Sequence, residues 1–281
     1  MLTTFCNRTI TFLGDSISRQ AASSFMCVLE AHLVGGGLSE PVTRATCHTF
    51  SSQVGPDASP PGQPVCALTV CFDTITATDE PVRLDVISTV LLKTAQLERG
   101  GVVILNFGLH YHNQQSYVRD LIATVATLRR LHQSLGANSS SLKVLWREIT
   151  PQHFPKSPGG QFSPKAYKNA IKVGCKKNEP YDTSTAIGPN WRNVLASKYM
   201  SSAGVEILPI FEELRVHGED MHVGSQNRGV VRRVTGKQAK KKLKAPKHIF
   251  DEFTHGDCSH YCQPGLIDLA TIELLYTTMS K

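Results

Sequence analysis

Continuous apolar runs alternate with segments of helical period along the chain. The apolar runs, each short enough for one strand, lie at 9–13, 100–107, 142–149 and 205–210. Apolar residues recur every three or four positions, as in helices that bury one face, over 16–33, 114–135, 191–200 and 266–279. Strands that are apolar throughout need cover on both faces, so the alternation predicts a parallel sheet between helices.

Two stretches break this alternation. Residues 35–81 are rich in Gly, Pro, Ser and Thr, and they contain a predicted hairpin formed by VCALTVCF and a more polar strand at 47–51. Residues 151–190 begin PQHFPKSPGGQFSP and predict a long loop. No internal repeat is present, so we expect one domain over 1–281 with long loop insertions.

Composition is that of a globular protein, with 281 residues of which 41% are hydrophobic and 19% charged. No run of about 18 apolar residues predicts a membrane span. The first residues also lack the basic and apolar regions of a signal peptide. Because the core pattern starts almost at residue 9, we expect this chain to be part of a longer protein.

The net charge of +7 comes from one segment. Residues 228–247 contain nine Lys or Arg and no acid, and the rest of the chain has 21 basic against 23 acidic residues. Two interpretations stay open: a solvated basic loop insertion, which we favour, or a surface that docks an anionic glycan, a membrane or nucleic acid. No aromatic residues are interleaved with these cations, so we expect no nucleic-acid partner.

Eight cysteines are present, and no two of them have C-x-x-C spacing. This absence weakens zinc and thioredoxin-like interpretations and favours disulfides formed in an oxidising compartment. Glycosylation sequons at Asn7 and Asn138 point to the same compartment.

Two motifs near opposite ends of the chain predict acyl-transfer chemistry. In FLGDSISRQ, an apolar strand ends at Gly14, whose backbone freedom suits a sharp turn, and Ser16 starts a helix whose dipole favours negative charge. In HGDCSHYCQPG, Asp257 can hold the Nδ1 proton of His260 and leave Nε2 as a base. A base of this kind activates a serine, so the three residues could form a triad. Each motif alone is weak, since D-x-x-H is often an ordinary surface turn.

GDSISRQ and DCSHYCQPGLID resemble the two signature blocks of the PC-esterase group, over residues 9–280. This group contains the plant trichome-birefringence-like polysaccharide O-acetyltransferases and belongs to the SGNH (GDSL-like) superfamily. The resemblance implies a three-layer α/β/α sandwich with a mainly parallel, flavodoxin-like sheet. It also implies that Ser16 is the nucleophile, His260 the general base and Asp257 the acid that orients it.

A third block, LNFGLHYHN, matches the position where this superfamily supplies an Asn and a Gly to the oxyanion hole. The resemblance implies that Asn106, Gly108 and the backbone N–H of Ser16 bind the oxyanion. Alternatively, Asn106 caps a turn that Gly108 permits. His110 and His112 are expected to line the cleft, because two histidines with one spacer are a weak metal signal and we expect no metal.

Further candidate substrate-binding residues flank these motifs. Asp15 precedes the serine, and Arg19, one helical turn after it, either faces the site or pairs with a surface acid. LRVHGEDMHVG loosely resembles the R-x-D-x-H block of the group, with Asp220 and His222 as the matching pair. Arg215 lies two residues further upstream than that block expects.

The resemblance also bears on disulfides and location. It implies a bond between Cys175 and Cys258, with Cys27 and Cys262 paired to an N-terminal part that this chain lacks. Members of the group are anchored in the Golgi membrane, so we expect the Golgi lumen, with an extracellular location as the alternative. Any membrane attachment would use a segment not present here.

We therefore expect a serine-dependent O-acetyltransferase that acts on a polysaccharide or glycan hydroxyl through an acyl-serine. It would use acetyl-CoA or another acetyl ester as co-substrate and would hold no bound cofactor. Two alternatives stay open: an esterase with the same triad, in which water accepts the acyl group, and an inactive glycan-binding protein.

Overall fold

The protein is represented by a computed structural model, which describes residues 7–33, 46–51, 67–75, 81–97, 100–136, 142–157, 162–173, 175, 190–215 and 258–259. The strands are β1 (Arg8–Gly14), β2 (Thr46–Ser51), β3 (Ala67–Thr74), β4 (Gly101–Leu105), β5 (Leu142–Arg147) and β6 (Glu206–Leu208). The helices are α1 (Ser16–Leu33), α2 (Leu84–Ala95), α3 (Gln114–Leu135), α4 (Pro164–Val173), α5 (Trp191–Ser201) and α6 (Phe211–Arg215).

The strands form one six-stranded sheet in the order β2-β3-β1-β4-β5-β6. All neighbouring pairs are parallel except β2 with β3. The five parallel strands follow one of the two common orders of doubly wound α/β sheets. In such sheets ligands bind outside the carboxyl ends of the strands, where the strand order reverses. Here that point lies between β1 and β4.

Helices cover both faces of the sheet. On one face, α1 packs through Ala22, Phe25 and Met26 against alternate residues of the strands, such as Val102 and Ile104 of β4. On the other face, Gly101 of β4 lies so close to Thr94 of α2 that a side chain at Gly101 would collide with it. The protein therefore has an α/β fold that is compatible with three α/β/α layers.

The chain divides into two compact units. The first contains the sheet, with residues 1–149, 192–209 and 268–281. The second consists of 150–191 and 210–267, and its small core contains Phe154, Ala166 and Ala170 around the disulfide between Cys175 and Cys258. The prediction that residues 1–281 form a single domain stays a prediction.

Most predicted elements are confirmed, and three helices, α2, α4 and the short α6, were not predicted. The long loop expected over 151–190 is wrong in part, because α4 lies within it. Over residues 164–170 this helix buries only the small Ala166 and Ala170. Helix α2 was missed although Val86, Ile87 and Leu91 are buried at helical spacing. The predicted hairpin strands do pair antiparallel, but β3 also pairs with β1 and so belongs to the main sheet. The predicted helix at 266–279 and the basic segment 228–247 lie outside the described residues.

Two disulfides are present among the described residues. Cys47 and Cys71 lie directly opposite each other on β2 and β3, and Cys175 bonds to Cys258, which is the pairing that the resemblance implied. These bonds are compatible with a secreted or lumenal protein. No helix in the described part of the chain is long and apolar enough to cross a bilayer.

Candidate functional site

The junction between β1 and α1 is shaped by lack of space at Gly14. A side chain there would collide with the Ser18 hydroxyl and the backbone oxygen of Asn106. Positive φ angles occur at other described glycines but not at Gly14, so the backbone freedom expected of Gly14 is not what the turn requires. The missing side chain instead lets α1 start close to the segment that follows β4.

Asp15 is the N-cap of α1. Its Oδ1 accepts a hydrogen bond from the Ile17 amide at 3.0 Å, and its backbone oxygen accepts from the Arg19 amide at 3.1 Å. The side chain is 1% exposed, and its Oδ2 has no hydrogen-bond partner within the described residues. This capping role was not assigned from the sequence, and contact of Asp15 with a substrate stays a prediction.

Ser16 is the first residue of α1 and is half-buried. It therefore lies at the end of the helix where the dipole favours negative charge. Arg19, also half-buried, follows one turn later. Because β1 adjoins β4 in the sheet, Ser16 follows one of the two strands that flank the reversal of strand order.

Asn106 follows the other of these two strands and is 1% exposed. Its Nδ2 donates to the backbone oxygen of Arg147 at 2.8 Å, and its Oδ1 lies 3.5 Å from the Ser18 hydroxyl. These contacts run to β5 and α1 rather than within its own turn. An amide nitrogen carries two hydrogens, and the bond to Arg147 uses one of them.

Gly108 is the residue of this segment with the least freedom to change. Its φ is +141°, and a side chain there would collide with Ile149 and crowd Tyr117. Tyr117 in turn donates from its hydroxyl to the backbone oxygen of Phe107 at 3.2 Å. The conformation of the chain after β4 is therefore set by both dihedral angle and packing.

A buried polar network, which sequence reasoning missed, anchors the same segment. The Tyr111 hydroxyl donates to Asp120 Oδ2 at 2.5 Å, and Arg192 donates from Nε and one Nη to the Tyr111 backbone oxygen at 3.0 and 2.6 Å. Asp120 also accepts from Arg119 Nε at 2.8 Å and from the Val82 amide at 3.3 Å. The available sequence signal was a carboxylate, Asp120, directly before Leu121 of the apolar stripe of this helix.

Burial and hydrogen bonding shift the pKa values of this network. Burial alone would raise the pKa of Asp120, but hydrogen bonds from Arg119, Tyr111 and the Val82 amide outweigh it and lower that pKa. Burial and the bond to Asp120 raise the pKa of the Tyr111 hydroxyl far above its usual value. Burial lowers the pKa of Arg192 to about 10, so at neutral pH Arg192 and Asp120 are charged and Tyr111 is neutral.

The two histidines flanking Tyr111 are accessible to different degrees. His110 is half-buried, and His112 is exposed. No group of three His, Cys, Asp or Glu side chains among the described residues is arranged as a metal site. The expected position of these histidines in a substrate cleft stays a prediction.

The other predicted site residues, Asp220, His222, Asp257 and His260, lie outside the described residues. The structure does describe Cys258 and Ser259, which come between the last two in the sequence. Within the second unit, the His153 amide donates to the Cys258 oxygen at 3.0 Å, and Gln152 Nε2 donates to the Ser259 hydroxyl at 2.7 Å. Arg215, in the same unit, pairs with Glu212 at 2.7 Å.

A groove of about 490 Å³ lies at the opposite edge of the sheet, at the amino ends of β5 and β6. Apolar side chains line it together with Arg129, His132, Lys143 and Glu206. Lys143 and Glu206 pair with each other at 3.3 Å. None of the residues that line it is a predicted site residue.

Neither a scan against models of protein families nor a search of curated proteins finds a match to this chain. The resemblance stated above therefore stays a prediction. The fold and the arrangement around Ser16 and Asn106 are the basis for a functional proposal.

Proposed function

We propose that the protein is a serine-dependent O-acyltransferase of the PC-esterase type, with an SGNH-like fold. It would transfer an acetyl group from an acetyl ester to a hydroxyl group of a glycan in the Golgi lumen. In this proposal Ser16 is the nucleophile, His260 the general base and Asp257 the acid that orients the base.

The observation that carries the proposal is the position of Ser16 and Asn106. They follow two adjacent parallel strands, β1 and β4, on either side of the reversal of strand order, where open α/β sheets bind ligands. A serine at the start of a long helix and an asparagine amide at the end of the neighbouring strand are two of the parts that an acyl-transfer site requires.

The second hydrogen of Asn106 Nδ2 supports an oxyanion role. A developing oxyanion would accept a hydrogen bond from this N–H, which would stabilise the tetrahedral intermediate. The backbone N–H of Ser16, at the first position of α1, would supply a second donor. Loss of one such donor typically raises the reaction barrier by about 2.7 to 4 kcal/mol.

The proposed reaction proceeds in two half-reactions. Ser16 Oγ attacks the carbonyl carbon of the acetyl ester while His260 Nε2 takes the hydroxyl proton, and the tetrahedral oxyanion forms. The carbon–oxygen or carbon–sulfur bond to the leaving group then breaks, and His260 returns the proton to that group. A glycan hydroxyl, deprotonated by His260, attacks the acetyl-serine and releases Ser16 with its proton restored.

The test is an acetyl-transfer assay with wild-type and Ser16→Ala protein. An acetyl ester is supplied with and without oligosaccharide, and acetylated sugar and free acetate are measured by mass spectrometry. Ser24→Ala is the matched control, because Ser24 lies on the same helix, is buried, and its hydroxyl has no partner among the described residues.

We expect acetylated sugar with wild-type and Ser24→Ala protein and none with Ser16→Ala. Free acetate without acetylated sugar would show instead that water is the acceptor and that the protein is an esterase. Full activity of Ser16→Ala would refute the assignment of the nucleophile. Binding of oligosaccharide without turnover of any donor would favour the glycan-binding alternative.

A further inference from the structure

We propose that Tyr111 and Asp120 are positioning residues for the segment between β4 and α3, and that they act on the reaction through Asn106. This inference rests on the proposed function. Neither residue contacts the reacting atoms in the proposal. Their role would be to keep this segment in the geometry that an oxyanion donor needs before substrate binds.

The bond between Tyr111 and Asp120 is the shortest hydrogen bond of the segment among the described residues. It is 2.5 Å long, it is buried, and its acceptor is an ionised carboxylate. Charge-assisted hydrogen bonds of this kind are about twice as strong as neutral ones. Asp120 lies on α3 and also accepts from the Val82 amide just before α2, so the bond ties the segment to the helical layer.

Arg192 binds the backbone oxygen of Tyr111, whereas Asp120 binds its side chain. Two of its N–H groups converge on the Tyr111 backbone oxygen, at 2.6 and 3.0 Å. The guanidinium is buried and donates in a rigid fork, so it restrains the position of the carbonyl in two directions. Tyr111 is thus fixed at its side chain and at its backbone.

Aromatic packing transmits this restraint along the segment towards Asn106. The Phe107 ring, next to Asn106, lies 6.1 Å from the Tyr111 ring, 5.9 Å from Tyr117 and 5.0 Å from Trp146. The Tyr111 amide also donates to the Gly108 oxygen at 3.0 Å. Movement of Tyr111 would therefore displace Phe107 and the backbone that carries Asn106.

Preorganisation of this kind affects rate more than affinity. A shift of about 1 Å in a catalytic group can cost about a hundredfold in rate. A network that served stability alone would change the melting temperature and leave the turnover of folded protein unchanged. The two roles are therefore separated by kcat measured on protein shown to be folded.

The test uses Tyr111→Phe, which keeps the ring and removes only the hydroxyl. We expect kcat for acetyl transfer to fall by about tenfold or more, with KM for the acetyl ester within about twofold of wild type. Tyr199→Phe is the matched control, because the half-buried Tyr199 makes no hydroxyl hydrogen bond within the described residues. Circular dichroism and thermal unfolding check the fold of each variant.

A double-mutant cycle shows whether Tyr111 acts through Asn106. If it does, Tyr111→Phe causes no further loss of kcat in an Asn106→Ala background. Losses that multiply, or wild-type kcat in Tyr111→Phe while Asn106→Ala is impaired, would overturn the inference. Should Tyr111→Phe not fold, Asp120→Asn takes its place, because it keeps an acceptor for the hydroxyl and removes the charge; we expect a smaller but measurable loss of kcat.

Ser16→Ala, assayed in parallel, separates the two proposals. Loss of activity in Ser16→Ala with wild-type kcat in Tyr111→Phe and in Asp120→Asn rejects the positioning role alone. Full activity in Ser16→Ala rejects both the proposed function and the positioning role that rests on it.

Discussion

The Asn106 amide donates to the Leu13 backbone oxygen at 2.9 Å, which extends the pairing of β1 and β4 beyond the last residue of β4. This bond joins the two chain segments at the reversal of strand order. Ser16, three residues after Leu13, starts α1 at the same carboxyl edge of the sheet. The proposed nucleophile and the proposed oxyanion donor therefore lie at one corner of the sheet, just beyond the ends of β1 and β4.

Replacement of Gly14 by Ala tests the close approach at this corner. The new methyl group would meet the Ser18 hydroxyl and the Asn106 backbone oxygen, and a backbone atom in a sheet cannot easily move away. We expect a loss of about 3 kcal/mol in the free energy of unfolding, the upper range for overpacking. Urea denaturation measures this loss.

Gly204→Ala is the control for that experiment. Gly204 has a φ of +74° and open space where a side chain would be, so only backbone strain of about 1 kcal/mol is expected. Equal stability of the two variants would contradict the steric role of Gly14.

Asn113 should be important for the start of α3. Its Oδ1 accepts from the Gln115 and Ser116 amides at 2.7 and 3.2 Å, and the residue is exposed, so no packing is lost on truncation. We expect Asn113→Ala to lower the free energy of unfolding by about 1 kcal/mol, and Asn113→Asp to be close to wild type. If both variants matched wild type in chemical denaturation, the cap would contribute nothing to stability.

The pH dependence of stability should reveal the ionised state of Asp120. Because hydrogen bonds lower its pKa in the folded protein, its stabilising contribution is complete above the usual carboxyl pKa of about 3.9 and is lost as pH falls through the folded value. The difference in melting temperature between wild type and Asp120→Asn should therefore shrink from pH 7 to pH 3. A constant difference over this range would argue against the pKa shift.

The two disulfides should contribute unequally to stability. Cys175 and Cys258 are 83 positions apart, and Cys47 and Cys71 are 24 apart. In the chain-entropy model these loops correspond to about 4.5 and about 3.4 kcal/mol. We expect the variant with Ser at 175 and 258 to unfold at a lower denaturant concentration than the variant with Ser at 47 and 71. The reverse order would show that native contacts, rather than loop closure, dominate.

Helices α1 and α3 have the bounds that apolar periodicity predicted, 16–33 and 114–135. Each has a clear stripe of large buried residues and an Asp or Asn at its start. Helix α4 has no such stripe, because it buries alanines against a disulfide that joins residues distant in sequence. Its contacts therefore cannot be predicted from the local sequence pattern.

The candidate site, like the fold, could be predicted only in part from the sequence. The serine at a strand-to-helix junction was readable from FLGDSISRQ, because turn and helix-start preferences are local. The anchoring of Tyr111 was not, since its partners Asp120 and Arg192 lie 9 and 81 positions away. Local pattern says nothing about which helix supplies a distant donor.

Most strands, the two longest helices, the mainly parallel sheet and the helix start at Ser16 could be predicted from the sequence alone. These properties depend on side-chain periodicity and backbone preference within a few residues. Three properties could be learned only from the folded structure: the strand order that brings β1 next to β4, the need for glycine at position 14, and the network that holds Tyr111. Each of these depends on contacts between residues far apart in the chain, whose geometry arises only when the layers pack.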